Sequence, residues 1–391
     1  MFTAFGFVFP FLPLFIGELG VGDVQQVEVW SGVSSFAQAM VLAICSPIWG
    51  AVADRRGRRL MVLRAAFGGG LVIGLMGLSQ NIWQFLALRL IQGAMTGVVA
   101  AASALAISFV PRSKVGMALG LIQMSSFAGN AVGPSLGGFT ADNFGYRLSF
   151  GVSGGLFLLA GVLTVLFVTE NFVPPPPEAT KPGLTGILRD IRTRGRDRRL
   201  LVMMVVLFSA QFGMSVVQPM LPLFVQFVDP TQSAAFVTGL IFTVAGIVAA
   251  ISSVIWGRLG DRIGHRRLLI GMALGAGLIY IPQALVMSVV QLIVLRGVLG
   301  IFEGGLLPSA NALIAASAPA DKPGDRSSHG TTYGLVYLAN GLGFGFGPLA
   351  GGVVAATLGL RNVFFVTAAI LLLIGAYLPF GVKDPRRRTS G

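Results

Sequence analysis

Long apolar stretches separated by short polar connections run along the chain from end to end. An α-helix rises 1.5 Å per residue, so about 20 apolar residues cross the ~30 Å hydrocarbon core of a bilayer. Stretches of about that length recur twelve times, at residues 2–17, 30–53, 60–79, 82–107, 115–139, 148–168, 200–227, 235–257, 268–287, 290–314, 331–356 and 362–382. The pattern predicts an all-α integral membrane protein with twelve transmembrane helices.

Composition and charge placement support this prediction. Hydrophobic residues make up 54% of the chain and charged residues 11%, whereas soluble domains carry about 25% charged residues. The net charge of +13 would also suit a nucleic-acid-binding protein, but 23 of the 28 Lys and Arg residues lie in alternate connections and the C-terminal tail. By the positive-inside rule, those connections and both termini face the cytoplasm. No nucleic-acid partner is expected.

The two halves of the chain repeat one another. "PFLPLF" at 10–15 returns as "PMLPLF" at 219–224, and "WGAVADRRG" at 49–57 returns as "WGRLGDRIG" at 256–264. Six spans per half in the same orientation predict two six-helix bundles, related by an axis along the membrane normal. The offset also places the start of the first span before Met1, so we expect the first helix to be shortened at its N-terminus.

A Pro- and Arg-rich segment joins the halves. It contains Pro174 to Pro177, which stiffen the chain, followed by "ILRDIRTRGRDRR". We expect an N-terminal bundle at 1–169, a cytoplasmic linker at 170–199 and a C-terminal bundle with a basic tail at 200–391. The basic part of the linker suits the inner leaflet of the membrane. Specific lipid binding or regulation is the alternative role.

The charged connection after the second span carries a family motif. "GAVADRRGRR" at 50–59 resembles the loop signature of the major facilitator superfamily, with Val52 where the signature has leucine. Glycines allow close helix contact, and an aspartate at a helix end can face the positive N-terminus of another helix. The resemblance implies a latch on the inner gate, and a purely topogenic loop is the alternative. The latch residues would be Gly50, Asp54, Arg55, Gly57 and Arg58, with Gly257, Asp261, Arg262, Gly264 and Arg266 in the second half.

The fifth span carries a second motif, which marks antiporters among the twelve-helix members of that superfamily. Its residues are Gly120, Gly129, Gly133, Pro134, Gly137 and Gly138. A proline inside the span bends the helix. The eleventh span repeats the register from Gly334 to Gly352, so small-residue packing common to both halves is the alternative explanation.

Three charged residues lie well inside predicted spans. "LRLIQG" at 88–93 resembles a fourth-helix signature in which the arginine, here Arg89, assists proton transfer, and Arg296 is its repeat mate. Glu303 is the only carboxylate well inside a predicted span. Burial favours its neutral form and a nearby arginine favours its charged form. This competition fits a proton-coupling group, and a static ion pair or hydrogen-bonded neutral acid is the alternative.

Polar, methionine and aromatic residues within the spans are predicted to line a central cavity, because such side chains adapt to varied apolar ligands. These residues are Gln38, Met95, Gln123, Met124, Phe127, Asn130, Gln211, Gln218, Tyr333, Tyr337 and Asn340. Each also fits ordinary helix packing. The chain has one cysteine and two histidines, so we expect no metal site, no cofactor and no catalytic cluster.

The resemblance covers the whole chain and is greatest to the twelve-helix drug:proton antiporters that confer multidrug resistance on bacteria. It implies that two bundles rock around a central site in the bacterial cytoplasmic membrane, as protons enter and small amphipathic or cationic compounds leave. A functional monomer surrounded by lipid is expected. A lipid or glycolipid flippase and a proton-coupled uptake symporter are alternatives with the same fold. A channel would need a continuous polar pore, and an enzyme would need a catalytic cluster.

Overall fold

The computed structural model describes residues 1–97, 101–103, 105–106, 115–170, 172, 198–317 and 327–381. These residues form twelve helical segments, six in each half. The first six are α1 (Phe2–Val8 and Leu12–Glu18, joined by the 3-10 turn Phe9–Phe11), α2 (Val24–Arg56), α3 (Arg58–Met76), α4 (Ile82–Met95), α5 (Val115–Phe144) and α6 (Tyr146–Phe167). The second six are α7 (Arg198–Val217 and Leu221–Val228, joined by Gln218–Met220), α8 (Ala234–Ile263), α9 (His265–Ala284), α10 (Val289–Ser317), α11 (Ser327–Leu358) and α12 (Leu360–Gly381).

The prediction of an all-α membrane fold is confirmed. Eleven predicted spans each correspond to one helical segment. The predicted span at 82–107 does not: α4 ends at Met95, because Thr96 is extended and Gly97 has φ of +116°, and helical residues return at 101–103 and 105–106. Nine helices of the described chain are long and apolar enough to cross a membrane.

The apolar pattern places the start of the second span at residue 30, whereas α2 begins at Val24. Asp23 causes the early start, because its Oδ1 accepts a hydrogen bond from the Gln25 backbone N–H at 3.2 Å and caps the helix.

The sequence repeat is visible in individual contacts. Trp49 Nε1 donates a hydrogen bond to the carbonyl of Ala94 at 2.7 Å, and Trp256 Nε1 donates one to the carbonyl of Ile301 at 2.7 Å. Both tryptophans therefore tie the second helix of their half to the fourth. The two halves share their packing as well as their motifs.

The two bundles meet along two helix pairs, α2 with α11 and α5 with α8. We call the end of the molecule that carries Gly57 and Gly264 the basic end, and the end that carries the α3–α4 and α9–α10 connections the opposite end. Gly32 allows the α2–α11 contact, because a Cβ there would lie 2.6 Å from the carbonyl oxygen of Pro348. Gly239 allows the α5–α8 contact in the same way, against the backbone of Pro134.

Side-chain hydrogen bonds reinforce the α5–α8 pair. Ser135 Oγ and Thr243 Oγ1 are 2.7 Å apart. Closer to the opposite end, the Asp142 carboxylate accepts hydrogen bonds from the Phe236 backbone N–H at 2.9 Å and from the Ser233 hydroxyl. These contacts run from the middle of the helices to the opposite end, so the bundles are closed against each other there.

This closure predicts a cross-link. In a Cys45→Ala background, the double variant Ser135→Cys with Thr243→Cys should form a disulfide on mild oxidation, because the two side chains already touch. The disulfide would be measured as thiols that no longer react with a maleimide reagent after oxidation and that react again after reduction. Each single cysteine variant serves as the control, and two thiols that stay fully reactive after oxidation would contradict the closed interface.

Candidate functional site

Arg296 and Glu303 share one face of α10. They are seven residues apart, about two helical turns, and lie opposite Val294 and Ile301, which are exposed. Arg296 is 5% exposed and Glu303 is half-buried. This face points into the second bundle, toward α9 and α12.

Tyr280 of α9 contacts both of these residues. Sequence reasoning did not select it, because a single tyrosine hydroxyl in an apolar span was its only signal. Its hydroxyl donates a hydrogen bond to Glu303 Oε1 at 3.3 Å, and its side chain is fully buried. The guanidinium carbon of Arg296 lies 5.6 Å from the ring centroid of Tyr280 and 5.8 Å from that of Phe364 in α12. Both distances are within the range of cation–π attraction.

Arg296 and Glu303 form no direct ion pair in the described structure. Nε and Nη2 of Arg296 are buried, and no described group hydrogen-bonds to them. The cluster consists of a buried guanidinium with unused donors and a carboxyl that accepts one described hydrogen bond, from a hydroxyl. Its net charge and its hydrogen bonds both change when the carboxyl gains or loses a proton. The cluster suits reversible protonation at Glu303.

Arg89 occupies the matching place in the first bundle. It is 1% exposed, and its Nη1 donates a hydrogen bond to Gln92 Oε1 at 2.7 Å. Its Nε and Nη2 atoms have no partner among the described residues. A cavity of about 10 Å³ lies beside it, lined also by Gln92, Phe150 and Ser153. This volume is about the size that holds one water molecule.

The first bundle lacks the carboxylate of the second. The repeat offset that relates Arg89 to Arg296 places Thr96 opposite Glu303. The Thr96 hydroxyl donates a hydrogen bond to the Gln92 carbonyl at 2.9 Å. The two bundles therefore hold equivalent buried arginines, and only in the second does a carboxyl lie two helical turns further along the same helix face.

Aromatic side chains from both bundles meet near the centre. Phe9, in the 3-10 turn of α1, stacks on Phe344 of α11 with ring centroids 6.3 Å apart. Leu121 and Val132 are exposed on one face of α5, and Asn130 is exposed on the opposite face. That face points between α1 and α8, so Asn130 lines the central space. Sequence reasoning did not select Phe9 or Phe344.

The remaining predicted cavity residues have different positions. Met124 is exposed, and the half-buried members are Gln211, Gln218 and Asn340. Gln38 is 4% exposed where α2 packs on Gly93 of α4, and Met95 packs on Gly68 of α3. The remaining side chains lie outside the described part of the structure: Gln123, Phe127, Tyr333 and Tyr337.

The glycines of the predicted antiporter motif are packing positions. A Cβ on Gly133 would lie 2.5 Å from the carbonyl oxygen of Thr3 in α1, and one on Gly347 would lie 2.8 Å from that of Phe212 in α7. Small residues thus bring α1, α5 and α8 together, and the antiport role of the motif stays a prediction. Gly129 and Gly137 contact α1 in the same way, and Gly138 contacts α8. Pro134 is buried within α5, and the surroundings of Gly120 lie outside the described part of the structure.

The first basic connection is built around Gly57, which has φ of +95° between α2 and α3. Sequence reasoning missed its partner, Glu170, which follows α6. The Glu170 carboxylate accepts hydrogen bonds from the backbone N–H groups of Arg58 at 3.0 Å and Arg59 at 2.7 Å. It therefore caps the N-terminus of α3, where the helix dipole favours a negative charge.

The second basic connection is arranged differently. Gly264 has φ of +98°, and His265 Nε2 lies 3.2 Å from Asp261 Oδ1. The Asp54 side chain lies outside the described part of the structure, so the proposed latch stays a prediction. Two other latch positions, Gly50 and Gly257, have open space around them and make no close helix contact. Arg55 and Arg262 are exposed, and Arg58 and Arg266 are half-buried.

Replacing the Glu170 cap should loosen the start of α3. We expect Glu170→Ala to reduce the local stability of this turn by about 1–2 kcal/mol, because two backbone N–H groups lose a charged acceptor. Hydrogen exchange at the amides of residues 58–62 should then become faster by about tenfold. Glu18→Ala, at an exposed acid, is the matched control. Unchanged exchange in Glu170→Ala would show that the cap does not hold the helix.

Comparisons with known proteins agree with the geometry. The family model described as Major Facilitator Superfamily matches residues 1–236 and 229–391. Proteins named multidrug resistance protein MdtG are similar along nearly the whole chain. The protein from Serratia proteamaculans (strain 568) is 38% identical over 376 residues, which cover 96% of this chain and 89% of that protein. The one from Klebsiella pneumoniae (strain 342) is 34% identical over 389 residues, covering 99% and 92%.

Solved structures show the same fold. A mutant of the nucleoside transporter NupG aligns with a TM-score of 0.77 at 11% identity and covers 98% of each chain. The human organic anion transporter MFSD10 (TETRAN) aligns with a TM-score of 0.69 at 19% identity and covers 96% of each chain. The family model covers the full length, and the fold and internal repeat agree with it. The chain belongs to the Major Facilitator Superfamily.

Proposed function

We propose that this protein exports small amphipathic or cationic compounds in exchange for protons, with Glu303 as the group that carries the proton. The relatives named for multidrug resistance support the choice of cargo. The cluster of Tyr280, Arg296 and Glu303 is the observation that carries the proposal, because it holds a half-buried carboxyl beside a buried, incompletely paired cation.

Competition between cargo and proton would drive the exchange. Glu303 faces α9 and α12, so its effect on cargo in the central space would be long-range: a cationic compound there favours the ionised form of Glu303, and a proton on Glu303 weakens the attraction for that compound. Tyr280 donates to the carboxylate and would stabilise it while the cargo is bound. Each ligand thereby shifts the balance between the two arrangements of the bundles. Arg89, next to a cavity of water size, would assist proton movement from the first bundle.

The positive-inside rule supports an orientation in the bacterial cytoplasmic membrane. The basic end and both termini would face the cytoplasm, and residues 170–199 would link the bundles 1–169 and 200–391 on that side. The closed opposite end would then face outward, so the arrangement suits loading of cargo from the cytoplasm. The latch residues at Asp54 and Asp261 would act in the other arrangement of the bundles, in which the basic end is closed and the opposite end is open. A single chain, surrounded by lipid, would suffice for the cycle.

Substitution of the carboxyl tests the proposal. In inside-out vesicles with an imposed pH gradient, a cationic dye should accumulate with the wild-type chain. Glu303→Gln should reduce gradient-driven accumulation at least tenfold while dye exchange down its own gradient continues at saturating dye, because the variant takes no proton and still binds cargo, with the weaker affinity of the protonated chain. Glu18→Gln, at an exposed acid, is the control. Full accumulation by Glu303→Gln, or accumulation that survives collapse of the gradient, would refute the proposed coupling.

Removal of the Tyr280 hydroxyl should change the pH dependence of transport. Tyr280→Phe takes away a donor that favours the carboxylate, so Glu303 would keep its proton to higher pH. We expect the pH of half-maximal transport to rise by up to about one unit, since one hydrogen bond to a charged group is worth about 1.5 kcal/mol. A pH–rate profile of the two proteins measures this shift. A profile identical to that of the wild type would exclude Tyr280 from the coupling.

A further inference from the structure

A second carboxyl lies within the bundle interface. Glu28 is one turn from the start of α2, near the opposite end, and only 3% of its surface is exposed. Its backbone carbonyl lies against Gly352 of α11, at a point where only a glycine permits the contact. The predicted second span begins two residues later, whereas the membrane-length part of α2 is Val24–Ser46. Glu28 is therefore inside the span and inside the closed gate.

The surroundings of Glu28 provide no positive partner. No described residue hydrogen-bonds to its carboxyl or forms an ion pair with it. The charged groups nearest to it in the chain are acids, Asp23 at the cap of α2 and Glu18 at the end of α1, and both are exposed. Residues 338–358 of α11 and the turn Gln218–Met220 carry no ionisable side chain.

No described basic residue of the other neighbouring helices hydrogen-bonds to Glu28, although Arg89 has two donors without a described partner. Arg89 of α4 donates to Gln92. Arg64 of α3 stacks over Trp49 with its guanidinium carbon 3.9 Å from the ring centroid, and it donates to the Thr96 carbonyl at 3.1 Å. The two arginines that begin α3, at positions 58 and 59, lie at the basic end. Among the described residues, the gate therefore supplies no hydrogen-bonded or ion-paired positive charge to the Glu28 carboxyl.

The equivalent place in the other half is apolar. The repeat offset puts Ala235 of α8 opposite Glu28, and Ala235 is fully buried against Gly138 of α5. An alanine fits this contact in one half, so packing alone does not require a carboxylic acid in the other. The acid adds ionisation to a contact that otherwise only closes the gate.

We propose that Glu28 is a protonation-linked latch of the opposite gate. Burial without a partner disfavours a charged carboxyl, so the bundles close there with Glu28 protonated. Separation of α2 from α11 exposes the carboxyl to water, and the proton leaves to the water on that side. Closure takes one proton back from the same side. This latch rests on the proposed function only in requiring that the bundles rock.

Distance measurements on the full chain test the latch. In a Cys45→Ala background, spin labels at Leu78→Cys and Met287→Cys report the separation of the bundles, because both sites are exposed at the opposite end. In lipid nanodiscs between about pH 5 and pH 9, we expect the ratio of open to closed gate to increase with pH. One linked proton sets an upper limit of about tenfold per pH unit.

Two substitutions separate the latch from general effects. Glu28→Gln, and Glu28→Ala, which copies the repeat mate Ala235, should keep the gate closed at all pH values and abolish the slope. Glu18→Gln, at an exposed acid of the same end, should keep the slope. A slope that persists in both Glu28 variants, or a wild-type chain without any slope, overturns the proposal.

Two separate measurements, gradient-driven transport in inside-out vesicles and the pH slope of the gate in nanodiscs, distinguish the latch from proton-coupled export. If Glu303→Gln retains gradient-driven transport while the Glu28 variants lose the pH slope, the latch stands and the proposed function falls. If Glu303→Gln loses that transport while the Glu28 variants keep the slope, the latch falls and the proposed function stands.

Discussion

The free-energy cost of an unpaired charge away from water constrains this molecule more than any other interaction. With charged residues at 11% of the chain, nearly all of them can lie in connections and tails, so each one inside a helix needs an explanation. Arg296 and Glu303 share a face of α10 without bonding directly, and the Tyr280 hydroxyl reaches the carboxyl from α9. A fully formed ion pair would be static, whereas in the proposed cycle this incomplete arrangement would respond to one added or removed proton.

The repeat separates packing from chemistry. Contacts that hold the helices together occur in both halves, as with Trp49 and Trp256, whose indoles bond equivalent carbonyls. The halves differ where ionisable groups are buried, since a threonine stands opposite Glu303 and an alanine stands opposite Glu28. Duplication supplies a symmetric scaffold, and the two acids that lack an ion pair are its asymmetric feature. In the proposed cycle they would make the response of the two halves to protons unequal.

Much of the fold was predictable from the amino-acid pattern, because apolar length and internal repetition are local or periodic signals. The twelve segments and the equivalence of the halves follow from them. The missed residues depend on contacts distant in the chain or on exact helix ends. Glu170 caps a helix that begins 112 positions earlier in the chain, and Tyr280 reaches Glu303 from a separate helix. Glu28 was missed because the Asp23 cap starts α2 earlier than its apolar run indicates.

In the proposed cycle, cargo and a proton on Glu303 weaken each other's binding, and proton release on dye binding measures this coupling most directly. A cationic dye titrated into the purified protein in weakly buffered solution with a pH indicator should release up to about half a proton per dye bound at the pH at which half of the dye-free protein is protonated. This release should disappear in Glu303→Gln, to which the dye still binds with lower affinity. Dye binding to the wild-type chain without proton release at any pH would contradict it.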